Sequence, residues 1–231
     1  MFRQCVIFDQ DVSGLIPPPD DNKSVYMFHE CKAFNNGGEV MDLDMGSCTN
    51  MEHMFWNASA FNADITGWDM SQMKKMTRAF YNCVAFNQPI GSWTVTNVTS
   101  MEETFTLCEE FDQDLGGWDV KNVKTFEGAF AYGIFNNGGS DSIKFWDVSR
   151  VQTFYYMFAQ TPFNQPVGNW ETTSHTSDDE CFQEMFEYCS DFDQDLSGWC
   201  VDKVTQVPAD FAVGTKIDGD LTKLPVWGTC P

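Results

Sequence analysis

The sequence predicts an α/β solenoid of about eight coils, each of 25–28 residues with one short strand and one short helix, closed by a C-terminal cap. Three recurring positions carry the prediction. Anchor phenylalanines fall at Phe2, Phe28, Phe55, Phe80, Phe105, Phe130, Phe158 and Phe186. A second Phe follows each by five or six residues, at Phe8, Phe34, Phe61, Phe86, Phe111, Phe135, Phe163 and Phe192. In most copies a Trp comes seven residues later, at Trp68, Trp93, Trp118, Trp170 and Trp199, with Trp146 displaced by an insertion. A unit this short cannot bury its own apolar face, so copies must stack and share a core.

Each element follows from its pattern. Met51, Met54, Phe55 and Ala58 are spaced at three and four, which predicts about two turns of helix. The stretch Ile65-Thr-Gly-Trp-Asp-Met70 and its equivalents carry aromatic and β-branched residues between turn formers, which predicts a strand. One strand and one helix per coil is a leucine-rich-repeat kind of architecture. Stacking turns apolar positions into columns, such as Val95, Val120, Val148 and Val201. The residue after the second Phe forms a polar column (Asp9, Asn35, Asn62, Asn87, Asp112, Asn136, Asn164, Asp193) placed to satisfy backbone groups of the neighbouring coil. The repeats occupy residues 1–207 and the cap 208–231. The first copy begins inside a repeat with no polar cap, which predicts a longer polypeptide or stacking through a bare end.

Composition narrows the function. Among 231 residues, 13 Lys and Arg stand against 34 Asp and Glu, a net charge of −21. Such a surface is repelled by nucleic acid and by anionic lipid, and leaves cationic partners or divalent cations as options. No apolar run is long enough to span a bilayer. No phosphate-binding Gly loop and no Ser or Cys nucleophile motif occurs, and nothing singles out one carboxylate pair for hydrolysis, so no enzyme is expected.

The repeat motif M-F-x-x-C/A-x-x-F-N-x-x-I-x-x-W-D-V-S-x-V-x-x-M, which the copy from Met54 to Met76 follows except for Met70 and Met73 at the two V positions, resembles the 25- to 26-residue repeat of BspA-like surface proteins, the DUF285 type. That type is seen in mycoplasma lipoproteins and bacterial surface proteins, and is expanded in algae and other protists. The ending, through Trp227-Gly-Thr-Cys-Pro231, looks like the closing segment of the algal versions. The resemblance implies a leucine-rich-repeat-like stack at the cell surface or outside the cell, with adhesion or antigen roles and no known activity. Departures are Leu43 in the Trp column and insertions near 137–140 and 172–180.

Nine cysteines are present. Cys5, Cys31, Cys83, Cys108 and Cys189 each follow an anchor Phe by three and face the core, either as buried thiols or as adjacent-coil disulfides such as Cys5–Cys31 or Cys83–Cys108. Cys200 takes the outward position held by Asp69, Asp119 and Asp147, and a Cys200–Cys230 bridge is expected to pin the cap. Sequons place candidate N-glycosylation at Asn22, Asn57 and Asn97. The Asp-Gln-Asp turns make Asp112, Asp114, Asp193 and Asp195 candidate calcium ligands, and no other cofactor is expected.

The function expected is a non-enzymatic extracellular or cell-surface adhesion and recognition scaffold. Its partners would be other surface proteins or glycans, with Trp56, Tyr81, Tyr132 and Tyr188 as binding candidates. The alternative is a structural subunit of a surface filament, sheath or larger assembly, built by contacts along the stack.

Overall fold

The computed structural model describes residues 2–15, 24–176 and 179–231. Consecutive repeats lie on one another in parallel, and the equivalents of one position form straight columns. Anchor rings stack at centroid separations of 5.4 Å (Phe55–Phe80, Phe80–Phe105) to 5.8 Å (Phe130–Phe158, Phe158–Phe186). The second Phe column repeats at 5.6–6.3 Å between Phe34 and Phe192. In the Trp column, Trp68–Trp93 and Trp93–Trp118 lie within 3° of parallel. These rings and the Met, Val and Ile columns form one continuous core. Offset parallel rings at such spacings add attraction beyond the area they bury.

The predicted strand and helix are not there. Among the described residues the structure holds no α-helix and no extended strand, only five short 3-10 segments and single parallel bridges linking Asn50, Lys75, Ser100, Thr125 and Thr153. The chain is therefore not an α/β solenoid with one strand and one helix per coil, and the leucine-rich-repeat expectation falls with it. The segment read as helix is a run of tight turns. Met54 N donates to Met51 O at 3.1 Å and Ala58 N to Phe55 O at 2.8 Å. The third residue of each turn is left-handed, His53 at φ 55° and Asn57 at φ 59°. The same two positions are left-handed in later coils: Arg78 and Asn82, Glu103 and Leu107, Tyr156 and Gln160, Glu184 and Tyr188.

The reason lies between coils. Left-handed geometry costs a non-glycine residue about 1 kcal/mol or more. Here it turns alternate peptide planes along the stack, so that every second N–H reaches the next coil. Met51, His53, Phe55 and Asn57 donate to the carbonyls of Lys75, Thr77, Ala79 and Tyr81 at 2.8–3.0 Å. The set recurs as Met101, Glu103, Phe105 and Leu107 onto Thr125, Glu127, Ala129 and Ala131. A helix would spend those donors within the coil and leave each coil bound to its neighbours by side chains alone. The stretch expected as strand folds similarly into a turn, with Trp68 N on Ile65 O at 3.2 Å.

Side chains close the remaining backbone groups. Each indole of the Trp column donates to a carbonyl of the preceding coil: Trp68 to Met41, Trp93 to Ile65, Trp118 to Ile90, Trp146 to Leu115, Trp170 to Ile143 and Trp199 to Val167, at 2.7–3.2 Å. Trp146 thus keeps its column, and the insertion before it is taken up by short 3-10 segments at Asn137–Gly139 and Asp141–Phe145. The polar column behaves as its position implied. Asn87 N donates to Asn62 Oδ1 at 2.9 Å, and Asn87 Oδ1 accepts from Asp112 N at 3.2 Å and from Gln113 Nε2 at 2.6 Å. Asn87→Ala is expected to cost about 1–3 kcal/mol by stranding those donors, read as a lower urea midpoint with an unchanged slope.

At the C-terminal end, Glu184, Phe186 and Tyr188 donate to Ala209, Phe211 and Val213, so the turn ladder continues past residue 207. The aromatic column then ends: the Phe211 ring crosses Phe186 at 81°, and Trp227 crosses Phe211 at 87°. Leu196 N and Val201 N bond Lys223 O and Thr229 O, and the Cys200–Cys230 disulfide ties this end segment to the last full coil.

Candidate functional site

The surface of the turn run is set by two positions per coil, one two residues before the anchor Phe and one just after it. From coil three to coil five the first holds His53, Arg78 and Glu103, and in coils three and four the second holds Trp56 and Tyr81. Both are small in coil six, and the second already in coil five. Thr106 and Ala131 follow their anchors, and Gly128 precedes Phe130, all three buried. A Cβ on Gly128 would run into the Tyr156 ring. Thr106 lines a depression beside these positions, and the Tyr156 ring lies over Gly128.

The walls of that depression are Tyr81, Tyr132, Tyr155, Tyr156, Glu103, Glu127 and Glu184, around a groove of about 300 Å³ open to solvent. Its residues come from coils four to eight, and its lining holds three glutamates and no basic side chain. The Tyr155 and Tyr156 rings meet edge to face at 4.6 Å and 81°, and Tyr132 lies 6.4 Å from Tyr156. Tyr156 donates its hydroxyl to Glu103 Oε1, and Arg78 pairs with the other oxygen of Glu103 and, at 3.4 Å, with Glu102. The guanidinium at the rim is therefore committed to two carboxylates already.

Glu127 faces the groove without a side-chain partner from the protein among the described residues. Its side chain is half-buried and accepts no hydrogen bond among the described residues. Burial, with Glu102 and Glu103 nearby, raises its pKa above the ordinary glutamate value. Burial followed by Glu184 likewise raises the Tyr132 and Tyr155 hydroxyls, and burial with Glu103 raises Tyr156 strongly. Each shift has the sign of a negative local field combined with partial desolvation. Chemically the groove offers aromatic faces and carboxylates, with the Tyr156 hydroxyl held by Glu103.

Of the four aromatic residues picked from the sequence, the structure brings Tyr81 and Tyr132 into the groove. Trp56 lies apart, edge-on to His29 at 4.8 Å and to Tyr81 at 5.8 Å, and Tyr188 is exposed beyond it. Sequence reasoning missed Tyr155, Tyr156, Glu103, Glu127 and Glu184. The signal was Gly128, at a position that holds larger residues in other coils, which leaves room for the Tyr156 ring.

The candidate calcium ligands serve turns. Asp112 Oδ1 accepts from Asn136 N and Gly138 N at 2.7 and 2.8 Å, and Asp114 Oδ1 from Gly116 N and Ser142 Oγ at 2.9 and 2.6 Å. Asp193 pairs with Lys223, and Asp195 Oδ1 accepts from Ser197 N at 2.9 Å. Among the described residues no three His, Cys, Asp or Glu side chains gather as a metal site. Cys31, Cys83, Cys108 and Cys189 are buried thiols, their Sγ atoms 2.8–3.0 Å from the anchor carbonyl of the preceding coil. No disulfide joins Cys5 to Cys31 or Cys83 to Cys108. Burial raises the Cys189 thiol to about 11 and Cys83 and Cys108 further still, which makes them poor nucleophiles. Of the sequons, Asn97 is exposed, Asn57 is half-buried and accepts from Asn82 at 2.9 Å, and Asn22 lies outside the described residues.

No described helix is long and apolar enough to cross a membrane. No curated protein and no solved structure matches the chain. The family described as "Mycoplasma protein of unknown function, DUF285" matches residues 22–138 and 134–224, reaching past residue 207 as the turn ladder does. With nearly the whole chain covered by that repeat, the protein belongs to the DUF285 family.

Proposed function

We propose that the protein is a non-enzymatic recognition scaffold at the cell surface or outside the cell, with the tyrosine–glutamate groove as its binding face. The observation that carries this is the groove itself: aromatic walls and three carboxylates, Glu103 paired with Arg78 and Glu127 and Glu184 without a basic partner among the described residues, collected from five coils by a backbone whose hydrogen bonds hold those coils rigidly. Pre-ordered surfaces of this kind bind without a large ordering cost. The Cys200–Cys230 bridge and the exposed sequon at Asn97 support an oxidising, extracellular setting. DUF285 is a repeat family of unknown function, and no activity is indicated for it. The partner favoured is another surface protein, because a tyrosine-lined acidic groove suits a positively charged segment better than an uncharged glycan.

The test uses intact producing cells and purified protein. A membrane-impermeant biotin reagent should label the native protein on unbroken cells or in their medium. Labelled purified protein should bind to those cells, and the Tyr132→Ala/Tyr155→Ala variant should bind at least about tenfold more weakly while folding normally. Protein accessible only after lysis, or a variant that binds as the parent does, would overturn the proposal.

A further inference from the structure

The groove has a direction and a charge that together specify its ligand more narrowly. It runs along the stack from Tyr81 in coil four to Glu184 in coil eight, four coil steps whose anchor rings are 5.4 to 5.8 Å apart. Carboxylates recur along it from coils five, six and eight, with tyrosines from coils four, six and seven between them. An extended peptide advances about 3.3 Å per residue and presents side chains to one face at every second residue. The step between those side chains, about 6.6 Å, is about 1 Å longer than the ring spacing of 5.4 to 5.8 Å, so two or three successive side chains of an extended segment meet neighbouring coils before the register drifts.

The side chain that suits both walls at once is arginine. A guanidinium stacks on aromatic faces and forms forked hydrogen bonds to carboxylates, whereas an ammonium is a hydrated point charge that does neither as well. Glu127 is the natural counter-ion. It is half-buried, has no hydrogen-bond donor among the described residues, and lies in a lining without a basic residue. Arg78, which pairs with Glu102 and Glu103 at the edge of the groove, shows the mode of contact the surface already supports within its own chain.

On the reading of the groove as binding face, we infer that it takes an extended, arginine-bearing peptide segment of a partner protein, with one guanidinium held between the Tyr132, Tyr155 and Tyr156 rings and Glu127. The groove is thus an arginine-reading site, distinct from the diffuse attraction that a net charge of −21 gives the whole surface. Lysine in the same segment is drawn by that diffuse attraction and gains little from the rings. An uncharged or acidic segment gains neither contribution.

The experiment is isothermal titration of the intact protein with capped hexa-arginine, hexalysine and hexaglutamate peptides, repeated at low and at moderate salt. Hexa-arginine is expected to bind at one site and about tenfold more tightly than hexalysine, with the preference surviving added salt although both weaken. Glu127→Gln and Tyr155→Ala should each weaken hexa-arginine binding by about three- to tenfold. Glu39→Gln removes the same charge from an exposed site in coil two and should change it less than about twofold. Equal losses in Glu127→Gln and Glu39→Gln, or equal affinity for the two basic peptides, would overturn the arginine site in favour of diffuse charge. A protein that loses its cell-surface partner in the Tyr132→Ala/Tyr155→Ala variant yet ignores hexa-arginine would overturn the ligand assignment alone and leave the binding face standing.

Discussion

Phe105→Ala is expected to cost about 3–5 kcal/mol and to lower the urea midpoint of the whole protein in one transition. Phe105 is 2% exposed and touches rings on three sides, Phe80 at 5.4 Å, Phe130 at 5.7 Å and Phe111 at 4.3 Å. Removing the ring leaves a cavity that the backbone cannot close, because Phe105 N is bonded to Ala129 O and Phe80 N to Thr104 O on either side. The effect should spread beyond coil five, since nearest-neighbour contacts carry the stability of stacked repeats. The same substitution at the N-terminal anchor, Phe2→Ala, should cost much less, because Phe2 is only half-buried and stacks on one neighbouring coil. Equilibrium denaturation of both variants checks the ordering. Equal losses at the two positions would mean that ring-on-ring contact does not hold the interior together.

Cleaving the Cys200–Cys230 disulfide is expected to remove about 3 kcal/mol, mostly by freeing the 30-residue loop in the unfolded chain. The Cys200→Ser/Cys230→Ser variant avoids reductant and leaves the buried thiols untouched. The loss should fall first on the closing segment. Trp227, which crosses Phe211, and the bond of Val201 to Thr229 lie within the loop the bridge closes, and the bond of Leu196 to Lys223 ties that loop to the coil just before it. Hydrogen exchange should therefore quicken at Val201 and Thr229 before it quickens at Phe105. Unchanged exchange across 196–229 would show that packing alone pins this end.

Carboxylates at the turns give the stability a pH sense. Asp64, Asp69 and Asp195 accept bonds from Thr66, Ser71 and Ser197, which lower their pKa values below the ordinary aspartate value. A lowered folded pKa means the contribution is present above the unfolded value and is lost as pH falls through the folded one. Acid should thus weaken the turns only below the usual aspartate range, and thermal melts from pH 6 downward would show the midpoint falling there.

Much of the stack was legible because columns need only one-dimensional spacing. Phe55, Phe61 and Trp68 repeat in register, and each buries against its equivalents as the spacing required. The local backbone was not legible. Met51, Met54, Phe55 and Ala58 are all buried, and a helix or a run of three-residue turns places them on one face equally well. What separates the two is where the N–H groups of His53 and Asn57 go, and that is decided by a coil 25 residues away. Ordinary propensity would also argue against left-handed Arg78, Leu107 and Tyr156, which tolerate the geometry because a bond to the next coil depends on it. The groove was half legible. Tyr81 and Tyr132 stood out as aromatics off the main columns, but Tyr155, Tyr156, Glu103, Glu127 and Glu184 join them only once coils four to eight are stacked.

The N–H of every second turn residue bonds the following coil and so builds one rigid, groove-bearing stack. Hydrogen-bond scalar couplings, measured by NMR on deuterated protein, identify donor and acceptor directly. The account predicts correlations from Phe105 N to the Ala129 carbonyl and from Leu107 N to the Ala131 carbonyl, repeated in register from coil to coil. Correlations from Phe105 to Met101 and from Leu107 to Glu103 would restore a helix in each coil and contradict it.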